Sequence, residues 1–232
     1  MAALAVKVVV TREAGWNGVI RAWLPTGTTV EEVPLTTTTY VAPEDVRAAI
    51  QNFDAVETFR TLVVTSERSA GYVDIALSAS ATDVEVFCVG AATAEALRTR
   101  GIHVHVTGEG TANDLARSIS HGPVLILGAK TLRADLKSSM LAKGLEVTTV
   151  ACYETIPLTL DALDVTKVRA ADVLFIGAPS AWDVAREFVN PDTWVVVPGT
   201  TTAGIVHQDH SRVIEGWGPD LAARLTGLAL AE

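Results

Sequence analysis

Residues 88–104 read CVGAATAEALRTRGIHV, and residues 195–208 read VVVPGTTTAGIVHQ. In each, an apolar run ends at a glycine, Gly90 or Gly199. A Thr-Ala pair follows, Thr93-Ala94 or Thr202-Ala203, and then a helical pattern begins. The layout is that of a strand–glycine–helix phosphate corner without its usual chemistry. No lysine follows the glycine as in a P-loop, and no further glycines complete a dinucleotide fingerprint. Two such corners in one chain raise two questions: what fold places them, and what they hold.

Working outward, Val/Ile/Leu runs recur from end to end: VKVVV, TLVVTS, VEVFCVG, VLILG, EVTTVACY, DVLFIG and WVVVPG. Helical patterns lie between them, among them PEDVRAAIQNFDAVETF, TAEALRTRG, KTLRADLKSSMLAKG, SAWDVAREFV and GPDLAARLTGLAL. Apolar strands alternating with helices imply parallel sheets covered on both faces. Pro43 and Pro219 stand where first-turn prolines belong. Thr111, with Asp114 three residues on, reads as a helix cap. Gly101 and Gly144 follow Arg100 and Lys143, where a left-handed helix end wants glycine.

The pattern repeats. Residues 8–35 resemble 124–153 (strand, polar corner, helix, glycine, strand), 62–75 resemble 173–189, and 88–104 resemble 195–208. The three pairs keep the same order, offset by half the chain. Each half suits a compact sheet of about 110 residues. The expected fold is therefore α/β: two flavodoxin-like parallel-sheet domains joined by a pair of linker strands, with the active site in the inter-domain cleft. The Thr-rich, Pro-bounded segments VPLTTTTYVAP and VACYETIPLTL are the expected linkers, near 34–42 and 149–158. If they connect the domains, residues 1–36 plus 156–232 form one domain and 37–155 the other.

At 232 residues the chain can bury a sizeable core, and 49% hydrophobic with 19% charged residues makes it globular. A net charge of −9 argues against nucleic-acid or anionic-membrane binding, which reward a basic surface. Cys88 and Cys152 sit in apolar runs and read as buried free thiols. The opening MAALAVKVVVTRE reads as a first strand rather than a leader, and no apolar run approaches the ~20 residues of a membrane span. A soluble cytoplasmic monomer is expected.

In an open parallel sheet, ligands bind beyond the carboxyl ends of the strands. Corners there offer unpaired N–H groups and the positive end of a helix dipole, which suit carboxylates as well as phosphates. Thr11, Arg12, Thr65, Ser66, Ser69, Ser180, Thr201 and Thr202 all fall at such ends. Taken singly, Thr93 and Thr202 read as ordinary helix caps and Gly90 and Gly199 as tight turns. The paired recurrence favours a binding cleft for a large polyanion. Other chemistry has less support. His103 and His105 share a strand face with no third ligand at a convincing spacing, and no metal is expected. His207 and His210 read as solvated. There is no G-x-S-x-G elbow.

The ordered pieces VVVTRE, TGTTVEEVPL, VVTSERSA, VGAATAEALRTRG, VLILGAKTLRADLKSSMLAKGLEVTTVACYET, VLFIGAPSAWDVA and VPGTTTAGIV resemble uroporphyrinogen-III synthases over nearly the whole chain. The resemblance implies two α/β domains with the N-terminal segment packed into the C-terminal one. It implies closure of hydroxymethylbilane to uroporphyrinogen III, with loss of water and inversion of the last ring (ring D), in haem biosynthesis. It implies no cofactor, and a transient contact with hydroxymethylbilane synthase is a further expectation. Tyr153 matches the family tyrosine, expected to help the hydroxyl leave. Thr93 and Thr202 match the corner threonines that would bind propionate or acetate. Arg12 matches the opening arginine, a carboxylate partner, and Ser66 the serine of its corner. Ala178 stands where many relatives have Ser before Pro, and Glu13 where Pro is usual. These departures leave a second reading, a non-catalytic tetrapyrrole- or anion-binding module of the same fold.

Overall fold

The computed structural model describes residues 6–25, 27–108, 112–131 and 134–227. In chain order the described elements are β1 (Lys7–Val10), α1 (Gly18–Ala22), β2 (Thr29–Glu32), β3 (Thr36–Tyr40), α2 (Pro43–Gln51) and β4 (Thr61–Val64). A 3-10 turn (Glu67–Tyr72) leads into α3 (Val73–Ala79), β5 (Glu85–Val89), α4 (Ala91–Thr99), β6 (Val106–Gly108), α5 (Ala112–Ser118), β7 (Val124–Ala129), α6 (Ala134–Ala142) and β8 (Val147–Pro157). The chain closes with α7 (Ala162–Arg169), β9 (Val173–Phe175), α8 (Pro179–Ala185), β10 (Trp194–Val197), α9 (Thr200–Val206), β11 (Val213–Glu215) and α10 (Leu221–Gly227).

Two sheets form. One has the order β11-β10-β9-β1-β2, the other β3-β8-β7-β4-β5-β6. The registered pairs β1–β2, β1–β9, β9–β10 and β10–β11 are parallel, as are β4–β5, β4–β7, β5–β6 and β7–β8. Numbered along the chain, the five strands of the first sheet read 2-1-3-4-5, the flavodoxin order. The second sheet has the same spatial order once the repeats are matched. β7 and β8 stand where β1 and β2 stand, and β4, β5 and β6 where β9, β10 and β11 stand. Each sheet thus takes its first two strands from one half of the sequence and its last three from the other.

Two compact units result, residues 1–38 with 155–232 and residues 39–154. The chain passes between them in β3 and again in β8. Val41 N donates to Cys152 O and Leu158 N to Leu35 O, both at 2.9 Å. Those two bonds set β3 and β8 antiparallel.

Successive valines of β1 face opposite cores. Val9 packs with Leu174, Val195 and Trp182, and Val8 and Val10 with Phe175, Ile20 and Leu221. In β4, Leu62 and Val64 join one core, while Val63 joins the other. Burial on both faces is why these strands are continuous apolar runs. The helix ends follow their glycines. Gly101 and Gly144 both have φ +77°. Gly101 N and Ile102 N return to Arg98 O and Leu97 O, and Gly144 N and Leu145 N to Leu141 O and Met140 O. Both are Schellman closures.

Several local expectations are corrected. Pro43 opens α2, but Pro219 lies in the turn before α10, which starts at Leu221. His103 and His105 precede β6 rather than lying on it, and their rings meet edge to face at 4.6 Å. Among the described residues no group of three His, Cys, Asp or Glu side chains is placed to hold a metal. His210 is buried rather than solvated, with its Nε2 2.7 Å from Thr193 O. Thr111 lies outside the described residues. Among those residues no helix is long and apolar enough to cross a membrane.

Candidate active site

In unit 1 the corners follow β1, β9 and β10. Thr11 donates its hydroxyl to Phe175 O, tying the ends of β1 and β9 together. Arg12 comes next, and Asn17 Nδ2 braces its loop by donating to Arg12 O at 3.2 Å. The Glu13 carboxylate accepts from Thr38 N (3.0 Å) and the Thr37 hydroxyl (3.2 Å), so the residue that replaces the usual proline holds the corner against the start of β3. After β9, Ala178 takes the N-cap position of α8 with no side-chain acceptor, followed by Pro179 and Ser180. After β10, Gly199 precedes α9, and Thr201 and Thr202 fall in its first turn.

In unit 2 the corners follow β4 and β5. Thr65 donates its hydroxyl to Leu127 O at 3.2 Å, a bond that serves the sheet. Ser66 Oγ accepts from Arg68 N at 3.3 Å and caps the 3-10 turn, in which Ser69 is fully buried. Gly90 precedes α4 with φ +81° and ψ 159°, a conformation that only glycine adopts without strain. Gly199, its counterpart, has φ 177° and is simply extended.

Neither threonine of the paired corners is an N-cap. Gly90 and Gly199 hold those positions, which puts Thr93 and Thr202 at the third residue of their helices. Both are nearly buried, at 4% and 3% exposure. Yet among the described residues neither hydroxyl takes a hydrogen-bond partner, and neither is sealed away from solvent. A hydroxyl held by a packed helix and left unbonded in a first turn, where backbone N–H groups have no intrahelical acceptor, is ready to serve an incoming acceptor.

Tyr153 lies on β8 where the ladder with β7 shifts register, opposite Ala129. Its carbonyl accepts from Lys130 N at 2.7 Å, which holds the backbone. The ring is 8% exposed, packs in the core of unit 2, and carries the Arg68 guanidinium 5.8 Å above its centre. Among the described residues its hydroxyl bonds to nothing. Tyr72, by contrast, donates to Val41 O at 2.6 Å, and burial raises its pKa. Cys152 beside it is a free thiol whose pKa burial pushes up to about 11, and Cys88 is shifted in the same direction. Both are protonated at neutral pH and unsuited to nucleophilic work.

The structure therefore gathers the expected residues into two sets. Arg12, Ala178, Ser180, Gly199, Thr201 and Thr202 belong to the carboxyl edge of the five-stranded sheet. Thr65, Ser66, Gly90, Thr93 and Tyr153 belong to that of the six-stranded one. Sequence reasoning missed Arg68, which lies inside a quoted motif but has no role until Tyr153 is seen beneath it. It also missed Trp16 and Trp217, whose rings flank Arg12.

A family profile described as uroporphyrinogen-III synthase HemD matches residues 24–210, well over half of the chain. The chain belongs to the uroporphyrinogen-III synthase family. Solved structures agree on the fold. A mutant uroporphyrinogen III synthase from Thermus thermophilus superposes with a TM-score of 0.65 at 15% identity, covering 96% of this chain and 97% of that one. The uroporphyrinogen-III synthetase of Helicobacter pylori does so with a TM-score of 0.60 at 16% identity, over 95% and 97%. No curated protein matches the chain by sequence. As a uroporphyrinogen-III synthase family member, the protein is an enzyme of tetrapyrrole synthesis with hydroxymethylbilane as the substrate the family implies.

Proposed function

We propose that the protein is a cyclising hydro-lyase that converts hydroxymethylbilane to uroporphyrinogen III, and that the residues gathered above do the work. The observation that carries the reading is the family match across residues 24–210, which spans Tyr153, Thr93 and Thr202. The reaction is redox-neutral. The terminal hydroxyl leaves as water, its departure driven by the electron-rich pyrrole. The methylene left behind bonds to the last ring at its substituted carbon and makes it a spiro centre. The bond from that carbon to its old bridging methylene then breaks. The freed methylene bonds the ring's unsubstituted α carbon, and that carbon loses its proton as the macrocycle closes with the ring inverted. Tyr153 donates a hydrogen bond, and then a proton, to the departing oxygen. A phenol hydroxyl is a hydrogen-bond and proton donor and can do so. Its unbonded hydroxyl on a core-packed ring is the local support for this role.

The eight carboxylates are taken up by the corners. The Thr93 and Thr202 hydroxyls, the first-turn N–H groups beside them, and the Arg12 guanidinium supply the attraction, so a protein of net charge −9 needs no basic surface. Positioning is the larger part of catalysis here, because an acid-labile hydroxymethyl group leaves easily once the chain is folded for ring inversion. The test is the isomer formed from hydroxymethylbilane: type III supports the reading. Type I alone from folded protein would replace it with the binding-module reading, which the missing cap at Ala178 keeps in play.

A further inference from the structure

The Arg12 corner holds an arrangement that none of the motifs marks. Arg12 follows β1, which lies between β2 and β9 where the strand order of the five-stranded sheet turns back. In doubly wound sheets that switch point is where ligands bind. The Arg12 guanidinium carbon lies 5.5 Å from the centre of the Trp16 ring and 5.7 Å from that of Trp217. Arg12 Nη1 donates to Trp16 O at 3.2 Å. Trp217 arrives from the other end of the chain, in the loop after β11. Its ring packs on the buried Phe175 at the end of β9, with centroids 6.0 Å apart. Its Nε1 is enclosed and makes no hydrogen bond among the described residues, so no polar bond there explains its seat. Gly177 lies against both side chains: a Cβ there would stand 3.5 Å from Arg12 Cγ and 3.6 Å from Trp217 Cη2, in ordinary contact with each.

We infer that Trp16 and Trp217 are positioning residues that clamp Arg12 as a carboxylate receptor at the switch point. The inference rests on the proposed function, because the carboxylate is a side chain of the tetrapyrrole. Two indole faces hold the guanidinium by cation–π attraction and shed water from it. Held in this way, its N–H edge meets a carboxylate in the planar, bidentate manner that arginine favours. An arginine already fixed in place loses less freedom on binding, so the clamp acts on affinity rather than on the chemical step.

A double-mutant cycle on the KM for hydroxymethylbilane tests this, with thermal unfolding run on every variant. Trp217→Leu and Arg12→Gln should each raise KM about tenfold with kcat little changed. Trp217→Phe, which keeps an aromatic face, should stay near wild type. The double variant should be no worse than Arg12→Gln alone, since the tryptophan acts only through the arginine. Trp16→Leu carries the same cycle if Trp217→Leu does not fold. Additive effects on KM, or a folded Trp217→Leu protein with wild-type KM, would overturn the clamp while leaving the synthase reading intact. Type I product alone from the wild-type protein would sink both.

Discussion

The three tyrosines of the chain show how position separates chemistry from scaffolding. Tyr40 is 50% exposed, Tyr72 spends its hydroxyl on Val41 O, and Tyr153 is nearly buried with its hydroxyl unbonded. Phenylalanine should therefore act oppositely at the last two sites. Tyr72→Phe leaves the half-buried Val41 carbonyl without its donor and should cost about 1 kcal/mol in denaturant unfolding, with turnover preserved. Tyr153→Phe should leave stability within about 0.5 kcal/mol of wild type. It should also lower kcat by one to two orders of magnitude, the low end of what general acid catalysis contributes. A Tyr153→Phe protein with full kcat would remove the leaving-group role. The cysteines complete the residue scale. Both thiols should resist a disulfide reagent at pH 8 in the folded protein and react once it is unfolded. Because burial lifts Cys152 from an ordinary 9.0 to about 11, the folded state holds that proton when the unfolded chain has lost it. Stability at this site is then present below pH 9 and lost as pH rises from 9 to 11, which thermal melts across that range will read. At this scale Thr93, Thr202 and Tyr153 were legible because they sit in recurring or family motifs. Trp217 was not: its partner Arg12 is joined to it only by the fold, and an isolated tryptophan has no spacing to read.

At the scale of the element, the two paired corners look alike in sequence and differ in backbone. Gly90 has a positive φ and Gly199 is extended, and an added Cβ would meet nothing within 4 Å at either. Gly90→Ala should cost about 1–3 kcal/mol from backbone strain alone, and Gly199→Ala should stay within about 0.5 kcal/mol, both by chemical unfolding. Equal effects would mean that the corners are conformationally equivalent. The α1–β2 connection has its own signature. Arg21 bonds the Glu32 carboxylate at 2.9 Å, Asn17 joins it at 3.2 Å, and together they hold the Glu32 pKa below its ordinary 4.5. The stabilisation is present above pH 4.5 and disappears as pH falls through the lowered folded value, because there the unfolded chain binds the proton first. Arg21→Gln should flatten that part of the acid limb in pH-dependent melts. Long elements were readable from periodicity and punctuation, as at Gly101 and Gly144. The three-residue strand β11 was not, and β6 was placed early, at His103 and His105, since so short an apolar run has no period. The helix α7 was missed because its face is mixed: only Val168 is buried, while Leu163 is 63% exposed.

For the whole molecule, the internal repeat in the sequence and the sheet order in the structure express one fact at two levels. Each half of the chain encodes a strand pair and a strand triplet, and each sheet combines the pair of one half with the triplet of the other. The repeat was visible because both copies keep the same corners in the same order. The repeat alone does not say which pair joins which triplet; the exchanged division, residues 1–36 plus 156–232 and residues 37–155, is an expectation drawn from the linker segments and the family resemblance. The site was half legible for the same reason: motifs named its corners, and the topology sorted them between two carboxyl edges. The central claim is that this arrangement turns hydroxymethylbilane into the inverted isomer. The measurement that tests it most directly generates hydroxymethylbilane in place with its synthase, adds this protein, oxidises the products and separates the uroporphyrin isomers. The account predicts a type III fraction that rises with enzyme until it dominates and falls back with Tyr153→Phe. Type I at every concentration of folded protein, the product of unassisted closure, would contradict it.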